Sequence, residues 1–173
     1  MKNELIFSGV GGQGIMLIGK MLCAAAVDKG YQVTFAPTYG QEKRGGRTSC
    51  QIVISDSVDS PVISEADIVL IMDEKSLEDF KDRVKKGAYL IINSSMIDTE
   101  LTRDDINIIK VPINDIASEI GNPKSANIVA LGVALKYIDS VSLEDMKESI
   151  AKTFKGSAVE KNKEALQRGY DYK

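Results

Sequence analysis

The sequence predicts a single α/β domain with three layers, a mostly parallel sheet and a helical C-terminal third. Short apolar stretches alternate with helical patterns over the first two thirds of the chain, as expected of strands joined by helices. Residues 68–72 are apolar without interruption, which is typical of a parallel strand covered on both faces. The chain has 173 residues, so we expect one domain over residues 1–173.

The first two thirds of the chain predict the sheet and two of its helices. The predicted strands lie at residues 5–7, 32–36, 48–55, 68–72, 88–92 and 106–111. Apolar residues recur at three- and four-residue spacing over residues 13–29, which predicts a helix, and Gly30 stands where a helix C-cap glycine is expected. Apolar spacing over residues 77–84 predicts a second helix that ends at Gly87.

The last third of the chain carries only helical patterns. Residues 126–138 are apolar nearly all round, so this helix is predicted to be buried. Ser142 and Asp145 have the spacing of a capping box, which predicts the start of the next helix. Ser157 and Glu160 repeat that spacing and predict the start of a final, more polar helix.

Composition excludes several classes of protein. The net charge is −3, so no nucleic-acid partner is expected, and no apolar stretch approaches the roughly 20 residues of a membrane helix. There is no histidine, which excludes histidine-based acid–base and nucleophilic catalysis, and we predict no catalytic residue on this chain. Cys23 and Cys50 form no metal-binding motif. We predict no metal site, a packing role for both cysteines and a cytoplasmic location.

A first glycine loop follows the first predicted strand. Gly9, Gly11 and Gly14 form a GxGxxG pattern between a strand and a helix, as in Rossmann-like folds, where the loop and the helix N-terminus face an anion. A dinucleotide site also needs an acidic residue at the end of the second strand, and residues 33–37 contain none. The alternatives are another anionic ligand or partner group, or a tight turn without a ligand.

A second glycine loop, residues 37–47, follows the second predicted strand. Lys43, Arg44 and Arg47 fall within five positions around a Gly-Gly pair. Loops at the carboxyl ends of strands cluster in a doubly wound sheet, so we expect this loop to lie beside the first. Its arginines can bind a phosphate or carboxylate through two parallel hydrogen bonds, and its glycines can form an anion-binding concavity. The alternative is a solvated hairpin.

The candidate binding residues therefore form two groups, one in each glycine loop. They are Gly9, Gly11, Gly12, Gln13 and Gly14 in the first loop, and Thr38, Tyr39, Lys43, Arg44, Gly45, Gly46 and Arg47 in the second.

Together the two loops resemble the gamma subunit of 2-oxoacid:ferredoxin oxidoreductases. The resemblance is carried by residues 8–15 (SGVGGQGI) and 39–46 (YGQEKRGG), and it continues at residues 60–61, 67–70 and 121–132. It covers nearly the whole chain, so the domain over residues 1–173 is identified as a gamma-subunit domain. The form Tyr-Gly-x-Glu-x-Arg-Gly-Gly is most similar to the 2-oxoglutarate type.

The resemblance implies a place in an enzyme that converts a 2-oxoacid and coenzyme A to acyl-coenzyme A, carbon dioxide and reduced ferredoxin, with 2-oxoglutarate the favoured substrate. Thiamine diphosphate, magnesium and iron–sulfur clusters would belong to other subunits: thiamine-diphosphate-binding alpha and beta subunits and a ferredoxin-like delta subunit. The chain lacks a Gly-Asp-Gly motif and cluster cysteines. We therefore expect it to bind none of these cofactors and to be inactive alone.

Two questions stay open at this point. The glycine loops either face the phosphates of coenzyme A or form an interface with partner subunits, since helix N-termini and arginines bind protein carboxylates as well as phosphates. The alternative to the subunit assignment is a free-standing nucleotide-binding regulatory module.

Overall fold

The computed structural model describes residues 1–42 and 45–173. Within these ranges the chain forms β1 (Lys2–Val10), α1 (Ile15–Asp28), β2 (Gln32–Tyr39), β3 (Arg47–Ser55), β4 (Ala66–Ile71), α2 (Glu74–Phe80), β5 (Val84–Asn93), β6 (Asn107–Val111), α3 (Ile113–Glu119), a 3-10 turn (Pro123–Ser125), α4 (Ala126–Leu135), α5 (Leu143–Thr153) and α6 (Ser157–Asp171). None of the helices in the described ranges is long and apolar enough to cross a membrane.

The strands form one sheet in the order β2-β3-β1-β4-β5-β6. β1 pairs in parallel with β4, β4 with β5 and β5 with β6, whereas β3 runs antiparallel between β1 and β2. The predicted mostly parallel sheet is therefore confirmed. One feature was not predicted: the helical connection through α1 does not place β2 beside β1, because β3 occupies that position.

Alternating strand residues divide the apolar core between the two faces of the sheet. Leu5 and Phe7 are fully buried on the face covered by α1, α4, α5 and α6, while Ile6 is fully buried on the opposite face with Leu77 of α2. This alternation is what a parallel strand covered on both sides requires. The three-layer arrangement and the helical C-terminal third are as predicted.

Helix α4 lies at the centre of the helical layer, and α6 packs directly on it. Every residue from Asn127 to Leu135 is buried. A Cβ atom at Gly132 would overlap the carbonyl oxygen of Leu166, and one at Gly169 would overlap the carbonyl oxygen of Val129. The two helix backbones therefore touch at two glycines, and no larger residue fits at either position without moving a helix.

The prediction of a second helix reaching to Gly87 was wrong at its C-terminal end. Helix α2 ends at Phe80, and Val84 begins β5, where it is fully buried and pairs with Ala66. The apolar spacing around Val84 fits a helix. Pairing in the sheet, however, places this β-branched residue beside Ala66 and buries its side chain. Gly87 lies in the bulge that follows, where its amide donates to the carbonyl oxygen of Asp105 at 2.7 Å.

The two predicted capping boxes had different outcomes. Ser142 and Asp145 form the box at the start of α5, with the Asp145 amide donating to Ser142 Oγ at 3.1 Å. Helix α6 does begin at Ser157, but Gly156 is its N-cap and no side chain caps it, so the box predicted there was wrong. A motif of two residues cannot distinguish the N-cap position from the first helical position one residue later.

Candidate functional site

The two glycine loops meet at the carboxyl end of β1. β3 pairs with β1 so that Arg47 lies opposite Val10, which brings the loop between β2 and β3 over the loop that follows β1. The amide of Gly11 donates to the carbonyl oxygen of Gly46 at 2.8 Å and joins the loops directly. The adjacency expected from the sequence is therefore present. The second loop is shorter than predicted, because β2 extends to Tyr39 and β3 begins at Arg47.

Two glycines of the first loop are required by the packing around them. A Cβ atom at Gly9 would lie 2.5 Å from Gln13 Oε1 and 2.9 Å from Ile15 Cγ1, so Gly9 lets the first turn of α1 close over the end of β1. Gly14 has a φ of +72°, and a Cβ atom there would overlap the Asn127 amide of α4. In the GxGxxG pattern the third glycine ordinarily lets the helix pack against the strand, whereas Gly14 permits packing against α4.

Gly11 is different, because it has room for a side chain. A Cβ atom at this position would lie 3.8 Å from the Gly46 carbonyl oxygen, an ordinary contact, and its φ is not in the left-handed region. Gly12 also has open space but a φ of +92°, which disfavours any larger residue. Neither the packing nor the backbone conformation of the described chain explains a glycine at position 11.

The start of α1 presents unused hydrogen-bond donors. Glycine at the N-cap position gives the helix no side-chain cap. Among the described residues, the amides of Gly12, Gly14 and Ile15 have no acceptor, whereas the Val10 amide donates to Gln13 Oε1 at 2.7 Å. Gln13, a predicted binding residue, therefore holds the loop with its side-chain oxygen. The free amides and the positive end of the helix dipole favour a negatively charged group.

The second loop adds a shallow depression of about 140 Å³ beside Gly11. Tyr39, Glu42, Arg47 and the loop glycines line it, and Tyr39 is 64% exposed. Arg47 Nε lies 3.2 Å from Asp79 Oδ2 of α2, with both side chains well exposed. Thr38 takes part in the β2–β3 ladder opposite Ser49 and does not line the depression.

Lys43 and Arg44, the other two predicted cations of this loop, lie outside the described residues.

Burial determines the protonation state of the two cysteines. Burial raises the pKa of Cys23 and of Cys50 to about 12, so both thiols stay protonated at neutral pH and are poor nucleophiles. Within residues 1–42 and 45–173, no three histidine, cysteine, aspartate or glutamate side chains come together as a metal-binding group would.

Comparison with known proteins connects this geometry to a family. The family model described as pyruvate ferredoxin/flavodoxin oxidoreductase matches residues 4–172. The chain belongs to this family. It is 34% identical over 175 residues to 2-oxoglutarate synthase subunit KorC of Methanocaldococcus jannaschii, across 99% of this chain and 94% of that protein.

Two further relatives specify the subunit. The pyruvate/ketoisovalerate oxidoreductases common subunit gamma of Thermococcus kodakarensis is 30% identical over 179 residues, across 97% of this chain and 95% of that protein. The solved gamma subunit of a keto/oxoacid ferredoxin oxidoreductase from Geobacter sulfurreducens has a TM-score of 0.86 and 28% identity, across 99% of this chain and 95% of that one. The chain is thus a gamma-type subunit of an oxoacid:ferredoxin oxidoreductase, as the resemblance predicted, and other subunits are its partners.

Sequence reasoning missed two residues at this site of the oxidoreductase subunit. Asn127 Nδ2 donates to the Gly14 carbonyl oxygen at 3.2 Å and ties the first loop to α4. Asp79 pairs with Arg47 from α2, on the opposite face of the sheet. Asn127 lies within residues 121–132, which carry part of the family resemblance, whereas nothing in the sequence around Asp79 marks it.

Proposed function

We propose that the chain supplies part of the coenzyme A side of its oxidoreductase complex, with both glycine loops facing the phosphates of coenzyme A. The observation that carries this proposal is the hydrogen bond from the Gly11 amide to the Gly46 carbonyl oxygen, 2.8 Å long. It holds two glycine loops, a helix N-terminus and an arginine together at the carboxyl ends of the strands. In open α/β sheets, this is where ligands bind.

The chemistry of the loops fits a phosphate group. Free amides at the start of α1 can donate to phosphate oxygens, and the space above Gly11 allows a ligand to approach the backbone. Arg47 adds a planar cation. Glu42 opposes this charge, but its carboxylate lies against Gly40 and Gly46 on the loop itself. When bound, coenzyme A would supply the thiol that accepts the acyl group, and these residues would bind and orient its phosphates.

We further propose 2-oxoglutarate as the substrate of the complex, because 2-oxoglutarate synthase subunit KorC matches nearly the whole chain at 34% identity. Selection of the oxoacid would lie on other subunits. The Thermococcus gamma subunit is named as common to a pyruvate and a ketoisovalerate oxidoreductase, so one gamma subunit can serve two substrates. Thiamine-diphosphate-binding alpha and beta subunits and a ferredoxin-like delta subunit would complete the complex and hold its thiamine diphosphate, magnesium and iron–sulfur clusters.

The experiment is steady-state kinetics of the complex reconstituted with its partner subunits. Arg47→Ala should raise the KM for coenzyme A about tenfold, since a hydrogen bond to a charged group contributes roughly 1.5–3 kcal/mol and 1.4 kcal/mol is a factor of ten. Gly11→Ala should raise the same constant without affecting folding. The KM for 2-oxoglutarate should stay within about twofold in both variants.

Arg168→Ala is the matched control, because Arg168 is also an exposed arginine paired with one carboxylate, Glu119 at 2.8 Å. It should leave both constants unchanged. Weaker co-purification with the partner subunits, together with lower activity toward all substrates, would mean that the loops form an interface instead. Normal assembly with an unchanged coenzyme A constant in Arg47→Ala and Gly11→Ala would refute both roles.

The other functions considered are less well supported. A nicotinamide dinucleotide site needs the end of β2 beside the first loop, but β3 lies between them and moves β2 a further strand spacing of about 4.8 Å away. A free-standing regulatory module is not favoured, because the relatives that match the whole chain are oxidoreductase subunits.

A further inference from the structure

One polar side chain interrupts the apolar helix α4. Every residue from Asn127 to Leu135 is buried, and Asn127 is the one residue among them whose side chain carries hydrogen-bonding groups. Asn127 is only 7% exposed. A polar group buried this deeply destabilises a fold unless its hydrogen bonds are made, so its partners indicate why it is there.

The side-chain amide of Asn127 has a different partner at each end. Its Oδ1 accepts from the Ile128 main-chain amide at 2.9 Å, and its Nδ2 donates to the Gly14 carbonyl oxygen at 3.2 Å. The Ile128 amide lies in the first turn of α4, where main-chain donors have no partner within the helix. Turning the side-chain amide over would place oxygen against oxygen and N–H against N–H, so only this orientation satisfies both partners.

Gly14 is the residue at which α4 meets the first glycine loop. It is the N-cap residue of α1, in the left-handed conformation, and its carbonyl oxygen also accepts from the Ile18 amide at 3.3 Å. A Cβ atom on Gly14 would overlap Asn127 Nδ2, so the asparagine side chain lies directly against the glycine. Asn127 therefore holds the loop by both contact and hydrogen bond where α1 begins.

The donors proposed to bind phosphate lie beside the carbonyl group that Asn127 holds. They are the amides of Gly12, Gly14 and Ile15, which have no acceptor among the described residues. Gln13 restrains the loop from within, whereas Asn127 reaches it from a helix 113 positions away in the sequence. Donors bind an anion best when their directions are fixed beforehand, because ordering a mobile loop would weaken binding.

We propose that Asn127 is a positioning residue for coenzyme A binding, since its hydrogen bond to Gly14 fixes the direction of the free amides at the start of α1. The proposal rests on the role proposed for the glycine loops and adds to it a residue that acts through Gly14. The alternative is that Asn127 only stabilises the junction of α1 and α4. The two roles differ in what the loss of Asn127 does to the KM for coenzyme A.

The first test is hydrogen exchange in the full-length chain, measured by mass spectrometry over residues 11–18. Asn127→Leu preserves the branched shape of the side chain and removes both hydrogen bonds. Asn127→Asp keeps the acceptor for the Ile128 amide but cannot donate to Gly14. Both variants should exchange at least about threefold faster over this segment than the wild type. Unchanged exchange in both would overturn the proposal.

Asn162→Leu is the matched control for both tests. Asn162 is 6% exposed, and its Nδ2 donates to a main-chain carbonyl oxygen of its own helix, α6, at 2.8 Å. Its substitution removes an equally buried hydrogen bond without touching Gly14. Exchange over residues 11–18 should therefore stay within about 1.5-fold of the wild type.

The second test is steady-state kinetics of the complex reconstituted with its partner subunits. Asn127→Leu and Asn127→Asp should raise the KM for coenzyme A at least about fivefold, with kcat and the KM for the 2-oxoacid within about twofold. Asn162→Leu should leave all three within about twofold. A role in stability alone would reduce the amount of assembled complex without changing the KM for coenzyme A.

An unchanged KM for coenzyme A in Asn127→Leu, or an equal rise in Asn162→Leu, would overturn the proposal. An effect confined to Asn127→Asp would also overturn it, because the added carboxylate would repel a phosphate without any change in the loop. If Arg47→Ala raises this KM and Asn127→Leu does not, the role of the glycine loops stands and Asn127 is a structural residue. If Arg47→Ala and Gly11→Ala both leave it unchanged, the role of the loops fails and this proposal fails with it.

Discussion

The two ends of the sheet differ in how their positively charged side chains are paired with carboxylates. At the end where β1 and β4 finish, Arg47 has one carboxylate partner, Asp79, and both side chains are exposed. At the other end, Lys85 lies between Glu4 and Asp67 and donates to both, with a distance of 2.8 Å to Asp67 Oδ1.

The difference separates residues that stabilise the fold from residues available for binding. The Glu4 side chain is only 12% exposed and that of Lys85 is 38% exposed, so salt screens this pair less than it screens the pair of Arg47 and Asp79. An ion pair between two exposed side chains contributes little to folding, so Arg47 can leave Asp79 for an external anion at little cost. Among the described residues, the ion pair beside the glycine loops is therefore exposed, whereas Glu4, Lys85 and Asp67 form a more sheltered charged cluster at the opposite end.

The largest expected effect concerns Gly14, a glycine-loop residue on which the stability of the fold depends. Gly14→Ala should reduce the free energy of unfolding by about 3 kcal/mol, since its φ of +72° disfavours a side chain and a Cβ atom overlaps Asn127. Urea denaturation followed by circular dichroism measures this loss. Gly11→Ala is the control and should change stability by less than about 0.5 kcal/mol. Equal losses would contradict the assignment of Gly11 to ligand approach.

The next effect concerns the opposite end of the sheet. Burial alone would raise the pKa of Glu4, but hydrogen bonds from Lys85 and Lys2 lower it below the ordinary value of 4.5. A carboxylate with a lowered pKa stabilises the fold above its unfolded-state pKa, and this contribution is lost as pH falls through the folded-state value. Glu4→Gln should therefore cost about 1–2 kcal/mol at pH 7 and progressively less below about pH 4.5.

Denaturation of the wild type and of Glu4→Gln over a pH series would show the two stabilities converging in acid. A difference that stays constant with pH would mean that Glu4 contributes through packing alone, and the contrast between the two ends would lose its electrostatic basis.

The smallest expected effect is on the stability of Arg47→Ala. Its ion pair with Asp79 joins two exposed side chains, so its loss should change the free energy of unfolding by less than about 0.5 kcal/mol. The same denaturation experiment checks this. A loss above about 1 kcal/mol would place Arg47 among the structural residues and weaken the case that it is available to a ligand.

Local patterns predicted much of the fold. The continuous apolar stretch at 68–72 contains most of β4, and the Ser142–Asp145 spacing marked the start of α5, because both signals depend on neighbouring residues alone. The meeting of the two glycine loops was also predictable, since the carboxyl ends of parallel strands lie at one edge of a sheet.

Features that depend on distant pairing were not predictable. Nothing local indicates that β3 inserts between β1 and β2, or that Val84 leaves a helical pattern to pair with Ala66. The partner of Arg47 comes from a helix on the other face of the sheet.

The contact between α4 and α6 has a consequence for how this molecule can change over evolutionary time. With Gly132 and Gly169 each pressed against the backbone of the other helix, α6 has a fixed axial register. A slip of one residue would carry Lys161 and Asn162 about 1.5 Å along the axis and about 100° around it. The contacts at Gly132 and Gly169 therefore hold α6 at one position along α4. Side chains on α6 can be exchanged one at a time on a fixed helix, whereas any change that loosens the contact between α4 and α6 moves every α6 side chain at once.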